Sequence, residues 1–143
     1  MPRVTIEILE GRTLEQKRAL GKEICEAIAE AFQFTTDRVA VRIIDVKFED
    51  FATDAELCCD KSLREKRVVY GGQVEPRILI QFVVGRTLDE KRSIVKLVAE
   101  RVARILDLPI NDVKITLFEV NKDQFSTGGI LLCDPESPIF HLH

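Results

Sequence analysis

Several kinds of protein are excluded by what this chain lacks. No apolar stretch approaches the roughly 20 residues needed to cross a bilayer, and charged residues break up every candidate. The N-terminus has no charged segment followed by an uninterrupted apolar run, as a secretory leader would. These two absences make a cytoplasmic protein with no membrane contact the expectation. Basic excess is missing as well: 21 Lys and Arg stand against 24 Asp and Glu, for a net charge of −3. The Lys and Arg are spread along the chain, whereas a nucleic-acid surface needs a cluster of positive charge. The four cysteines, Cys25, Cys58, Cys59 and Cys133, include no C-x-x-C pair. Zinc and thioredoxin-like readings therefore have little support, and reduced, structural thiols are expected. The two histidines, His141 and His143, close a tail that also holds two prolines. A lone His-x-His at a chain end reads as a solvated tail. No metal and no organic cofactor are expected.

What the chain does have is a phrase said twice. MPRVTIEILEGRT opens it, and PRILIQFVVGRT returns at 76–87. An offset of 74 residues matches Pro2 to Pro76, Arg3 to Arg77, Ile6 to Ile80 and Gly11-Arg12-Thr13-Leu14 to Gly85-Arg86-Thr87-Leu88. The same offset, without a gap, matches Lys17-Arg18 to Lys91-Arg92, Val39 to Val113, Val46 to Val120 and Phe51 to Phe125. Agreement over that span indicates duplication and fusion. One domain of two repeats is expected, at about 2–56 and 76–133, with a linker at 57–75 and a tail at 134–143.

Each copy reads strand, helix, strand. Val4, Ile6 and Ile8 alternate with polar residues, as on a half-buried strand. Ile78 to Val84 is almost continuously apolar, which predicts a strand covered on both faces. Thr13 with Gln16, and Thr87 with Glu90, have capping-box spacing. The helices predicted at about 14–33 and 88–107 each carry an apolar stripe that reads as core. Val39 to Val46 and Val113 to Val120 are the second strands, so each copy is a right-handed βαβ unit. Thr127-Gly128-Gly129 before Ile130 predicts a small hairpin, and Arg67 to Tyr70 a short added strand.

Position gives Pro2 a chemistry that Pro76 lacks. Methionine before a small residue such as proline is favourably placed for removal, which would leave Pro2 with a free secondary amine. An internal proline has no N–H and no basicity, whereas an α-amino group titrates near 8. Burial or a nearby cation lowers that value, and a general base works best when its pKa lies near the operating pH. Arginine supplies the complement: its fork pairs with a carboxylate and stabilises a developing enolate oxygen. Gly-Arg-Thr sets such an arginine between a strand end and a helix start.

Pro2, Ile6 to Thr13, Glu15-Gln16-Lys17 and Phe51, with Pro76, Gly85-Arg86-Thr87, Glu90-Lys91, Phe125 and Gly128-Gly129, resemble the tautomerase superfamily of 4-oxalocrotonate tautomerase. The matches cover most of 2–56 and 76–133, and the pairing of Pro2 with Gly-Arg-Thr is their most specific part. The resemblance implies an α/β (α+β) fold: tandem β-α-β units forming a four-stranded sheet with two helices on one face. It implies catalysis by an N-terminal proline, a small carboxylate substrate and, as in fused two-unit members, a homotrimer. Carried over residue by residue, Pro2 is the general base and acid, and Arg86 holds the substrate carboxylate. Arg12 is the first-half copy of that arginine, and Phe51 and Phe125 wall the pocket. Where the single-unit enzyme has a further arginine on its second strand, this chain has Ala40 and Lys114. Arg42, on the same face as Ala40, or Lys114 would then polarise the carbonyl.

The leading expectation is therefore keto–enol proton transfer on a small 2-oxo acid. The enzymatic alternative is a decarboxylase or hydratase of a 3-oxo or unsaturated acid. Ala31-Phe32 and Asp37-Arg38 resemble the malonate semialdehyde decarboxylase pattern if one residue is deleted between them, and Asp37 would assist. Thr116 and Thr127 stand where the dehalogenase branch has a tyrosine and an acid, and Val84 and Phe125 stand where the decarboxylase has an arginine and a tryptophan. A third alternative is a non-catalytic binding or assembly protein that keeps the fold.

Overall fold

The computed structural model describes residues 2–61 and 76–138. Met1, the expected strand at Arg67 to Tyr70, and the His141 and His143 tail lie outside them. The first copy runs β1 (Arg3–Leu9), α1 (Leu14–Phe32), β2 (Ala40–Val46) and a hairpin of β3 (Ala52–Thr53) and β4 (Glu56–Leu57). The second repeats it as β5 (Arg77–Val83), α2 (Leu88–Leu106), β6 (Lys114–Val120) and a hairpin of β7 (Ser126–Thr127) and β8 (Ile130–Leu131).

Both helices start as their sequences demand. The Thr13 side chain accepts from the Gln16 backbone N–H at 3.1 Å, while Gln16 Oε1 takes the Thr13 N–H at 2.9 Å. Thr87 and Glu90 repeat both bonds at 3.1 Å. Two of the orphan N–H groups at each helix start are thus satisfied. Gln33 and Asp107, at φ 57° and 55°, end the helices in the left-handed conformation, one residue earlier than the periodicity predicts.

The four long strands form one sheet in the order β2-β1-β5-β6. β1 is parallel to β2, β5 is parallel to β6, and the central β1–β5 pair is antiparallel. In that central pair Thr5 lies opposite Leu79, its own equivalent at the 74-residue offset. The local twofold axis relating the copies therefore passes between these two residues. Both helices cover one face. Val4, Ile6 and Ile8 of β1 and Ile78, Ile80 and Phe82 of β5 are buried there against Leu20, Ile24 and Ile28 of α1 and Ile94, Val98 and Val102 of α2. Each such side chain contributes about 1.5–3 kcal/mol through burial.

Among the described residues the other face carries no helix. Its rows run Ala40, Arg3, Gln81, Phe118; then Arg42, Thr5, Leu79, Thr116; then Ile44, Glu7, Arg77, Lys114. Within one chain, β5 is therefore covered on one face only, contrary to the expectation from its apolar run. Leu79 is 39% exposed and Phe118 55% exposed. The run reflects an outward face that is itself partly apolar, and no described helix packs on it.

Candidate active site

The antiparallel join gives the sheet two distinct ends. Pro2 is buried just before β1, and its carbonyl accepts from the Ala40 N–H at 3.3 Å. That end also holds the finish of β5, the start of β2 and the C-terminus of α1. Arg86 arrives there from the β5–α2 turn, where Gly85 at φ 120° takes a conformation closed to most L side chains. The guanidinium of Arg86 lies over the Phe32 ring, 4.0 Å from its centroid, and 5.7 Å from that of Phe34. Its Nη1 donates to the Phe32 carbonyl at 3.4 Å and to Glu90 Oε2 at 2.9 Å. Phe32 in turn meets Phe82 edge-on at 5.5 Å. Phe82 follows Gln81, the partner of Arg3, and so lies across from Pro2. A shallow groove opens at this end, lined by Arg3, Gln81, Phe82, Val83, Val120 and Phe125.

The far end is the pseudosymmetric copy. Pro76 is buried there before β5. Arg12 donates to the Leu106 carbonyl at 3.1 Å, the counterpart of the bond from Arg86 to Phe32. Phe51 packs there on Leu9 and Cys58. The structure thus brings Pro2, Arg86 and Phe125 to one end, and Arg12, Phe51 and Pro76 to the other.

A family model described as tautomerase enzyme matches residues 2–57, and a second, also described as tautomerase enzyme, matches 64–128. A probable tautomerase of Listeria monocytogenes is 37% identical over 59 residues, which are 41% of this chain and 97% of that protein. The chain belongs to the tautomerase family. The 2-hydroxymuconate tautomerase of Bacillus subtilis is 35% identical over 60 residues, 42% of this chain and 97% of the enzyme. Such relatives have the length of one repeat. A solved structure titled as a fused 4-OT wild-type asymmetric trimer superposes with a TM-score of 0.74 over 90% of this chain and 94% of its own, at 17% identity. The two-unit architecture of this tautomerase-family chain is thus shared by a solved fold.

The remaining candidates lie apart from Pro2 to differing degrees. Asp37 is exposed in a helical turn at Thr36–Arg38, close to the Pro2 end, and accepts from the Thr35 hydroxyl. Arg42 points from the middle of β2 onto the helix-free face, opposite Thr5. Lys114 starts β6 opposite Arg77, and its Nζ donates to the Asn111 carbonyl at 2.9 Å. A seven-residue strand spans about 20 Å, so Lys114 and Pro2 of one chain lie at opposite ends.

Sequence reasoning singled out neither Phe34, Phe82 nor Arg3, and noted Phe32 and Glu90 for other reasons. A usable signal was present. At the 74-residue offset, Phe32, Phe34 and Phe82 correspond to Leu106, Leu108 and Ile8. At these three positions the tautomerase carries aromatics at the Pro2 end and aliphatics at the other. Among the cysteines, Cys58 is buried and Cys59 exposed. Desolvation, then the neighbouring Asp60, push the Cys59 thiol above its ordinary value, which disfavours its reactive thiolate.

Proposed function

We propose that this chain is a proline-based tautomerase that moves a proton between carbon and oxygen of a small 2-oxo acid. The observation that carries the reading is Arg86 stacked on Phe32 at the end of the sheet where Pro2 begins β1. With Nη1 engaged, Arg86 keeps Nε and Nη2 clear of any partner among the described residues. That edge suits a carboxylate, which a guanidinium binds through two parallel N–H···O bonds. Pro2, freed of Met1, takes a proton from the carbon beside the carbonyl, and electron density moves to the carbonyl oxygen. Arg42, or Lys114 of a neighbouring copy, stabilises that oxygen. The proline then returns its proton at the other terminus of the conjugated system. No atom is gained or lost, and Phe125 and Phe82 shield the exchange from water.

The same reading makes the protein a homotrimer, with the helix-free sheet faces turned toward one another. Ile44, Leu79 and Phe118 supply exposed apolar surface on that face, and the fused relative is titled a trimer. The test is ketonisation of a simple enol by purified protein, with intact-mass measurement. Loss of Met1 and a fall of about 100-fold or more in kcat/KM for Pro2→Ala and Arg86→Ala are expected. Undiminished rates in both variants would sink the proposal.

A further inference from the structure

Besides the aromatics, the two copies differ at a polar position that touches the proposed site. The capping residue three places into the helix is Gln16 in the first copy and Glu90 in the second. Both make the same backbone cap, so the cap does not require the charge. Glu90 does something that Gln16 does not. Its Oε1 takes the Thr87 N–H and hydroxyl at 3.1 and 3.2 Å, which leaves Oε2 to hold Arg86 Nη1 at 2.9 Å. Gln16 instead directs its Nε2 to the Ile105 carbonyl at 3.4 Å.

We infer that Glu90 is a positioning residue for Arg86: it fixes the guanidinium rotation that presents Nε and Nη2, and its charge offsets the arginine's field at Pro2. This rests on the reading of Pro2 and Arg86 given above. A flexible arginine beside a groove samples many rotamers, and ordering it on ligand binding costs affinity. Here three contacts order it beforehand: the Phe32 ring on its face, the Phe32 carbonyl and the Glu90 carboxylate. The second effect is electrostatic. A cation close to an amine disfavours the ammonium form and lowers its pKa, so an unopposed Arg86 would make Pro2 a weaker base. The other charged groups near this end are Arg3 on β1, Arg42 on β2, Asp37 and Arg38 on the turn after α1, and Lys122 and Asp123 on the turn after β6. Asp89 on α2 is held by Arg92, and Glu119 on β6 by Lys91. Glu90 is the carboxylate in contact with Arg86. Hydrogen bonds from the Thr87 backbone, then from Arg86, hold its carboxyl below the usual glutamate value, so it stays charged through neutral pH.

The test is Glu90→Gln in the full-length protein. Because Gln16 already caps α1, this change keeps the cap, and an unchanged thermal melt checks that it does. Two quantities are read: the affinity for succinate, a dicarboxylate that does not react, by calorimetry, and the acid limb of the kcat/KM profile. Succinate should bind about tenfold more weakly, and the acid limb should move down by about half a pH unit. Glu90→Asp keeps the charge but shortens the reach. It should weaken succinate binding while its acid limb stays nearer that of the wild type. A wild-type value for either quantity in Glu90→Gln overturns the inference. If Pro2→Ala proves as active as the wild type, the proline reading fails, and succinate binding alone then decides the role of Glu90.

Discussion

At the scale of single residues, the two Gly-Arg-Thr arginines separate structure from chemistry. Arg12 and Arg86 each donate to the last carbonyl of the opposite helix, at Leu106 and Phe32. A cation at a helix C-terminus interacts favourably with the unsatisfied carbonyls and the helix dipole. Arg12→Ala and Arg86→Ala should therefore each lower stability by about 0.5–1.5 kcal/mol in denaturant titrations. Only Arg86→Ala should also abolish turnover at the Pro2 end. Equal loss of activity in both would show that both ends act, or that the loss is merely structural. The sequence repeat made Arg86 readable as a site candidate. The aromatic group around it escaped, because Phe32 enters the sequence reading only through the decarboxylase pattern and Phe82 only within an apolar strand, without comparison with Leu106 and Ile8. The position of Lys114 was not readable at all. It follows from the antiparallel pairing of β1 with β5, and no local pattern announces which way two units will join.

At the scale of elements, local chemistry reproduced both helices and all four long strands to within a residue at each end, because caps and periodicity agree there. The first hairpin is the instructive omission. Its second-copy counterpart turns on Gly128-Gly129, at φ 64° and 80°, and is plain in the sequence. In the first copy the same turn is made by Asp54 and Ala55, at φ 55° and 60°. Asp54 tolerates the positive φ that both central positions need, but Ala55, unlike the glycine of a preferred Asp-Gly pair, does not announce it. Alanine is strained in that conformation and glycine is not. Ala55→Gly should therefore stabilise the protein by about 0.5–1 kcal/mol, net of the entropy that glycine adds to the unfolded chain. A lower melting temperature would count against the turn as described. The residue that follows each hairpin matters in the same way. Cys58 lies buried under Phe51, as Leu132 is buried in the second copy, and each donates its N–H to the carbonyl of the neighbouring phenylalanine, at 2.7 and 2.8 Å.

At the scale of the whole molecule, the helix-free face is the unfinished part. Leu79 sits at its centre, next to the local twofold, with Phe118 and Ile44 toward its corners. Light scattering on a sizing column should give about three times the 16.3 kDa chain mass. Leu79→Arg should shift the population to monomer and lose activity with it, because the proposed pocket takes residues from a neighbouring copy. A monomeric wild type with full activity would contradict both. The apolar run of β5 pointed to a second covering layer. The sequence could not say where that layer would come from, since the two long helices of the described residues both pack on the same side.

The pseudosymmetry of the two ends has a consequence for how such a protein can be rewired. Pro76 already occupies, at the start of β5, the place that Pro2 occupies at the start of β1. On the proposed reading Pro2 differs from Pro76 in its free amine, and their surroundings differ in Phe32, Phe34, Phe82 and Glu90 against Leu106, Leu108, Ile8 and Gln16. A circularly permuted chain opened just before Pro76, with its old termini joined, would carry its free amine among Arg12, Phe51 and Gln16. The old site would be closed by an ordinary peptide bond. On the proposed reading activity would then appear at the other end of the sheet, and the rates of the two permutants would measure what the aromatics and Glu90 contribute.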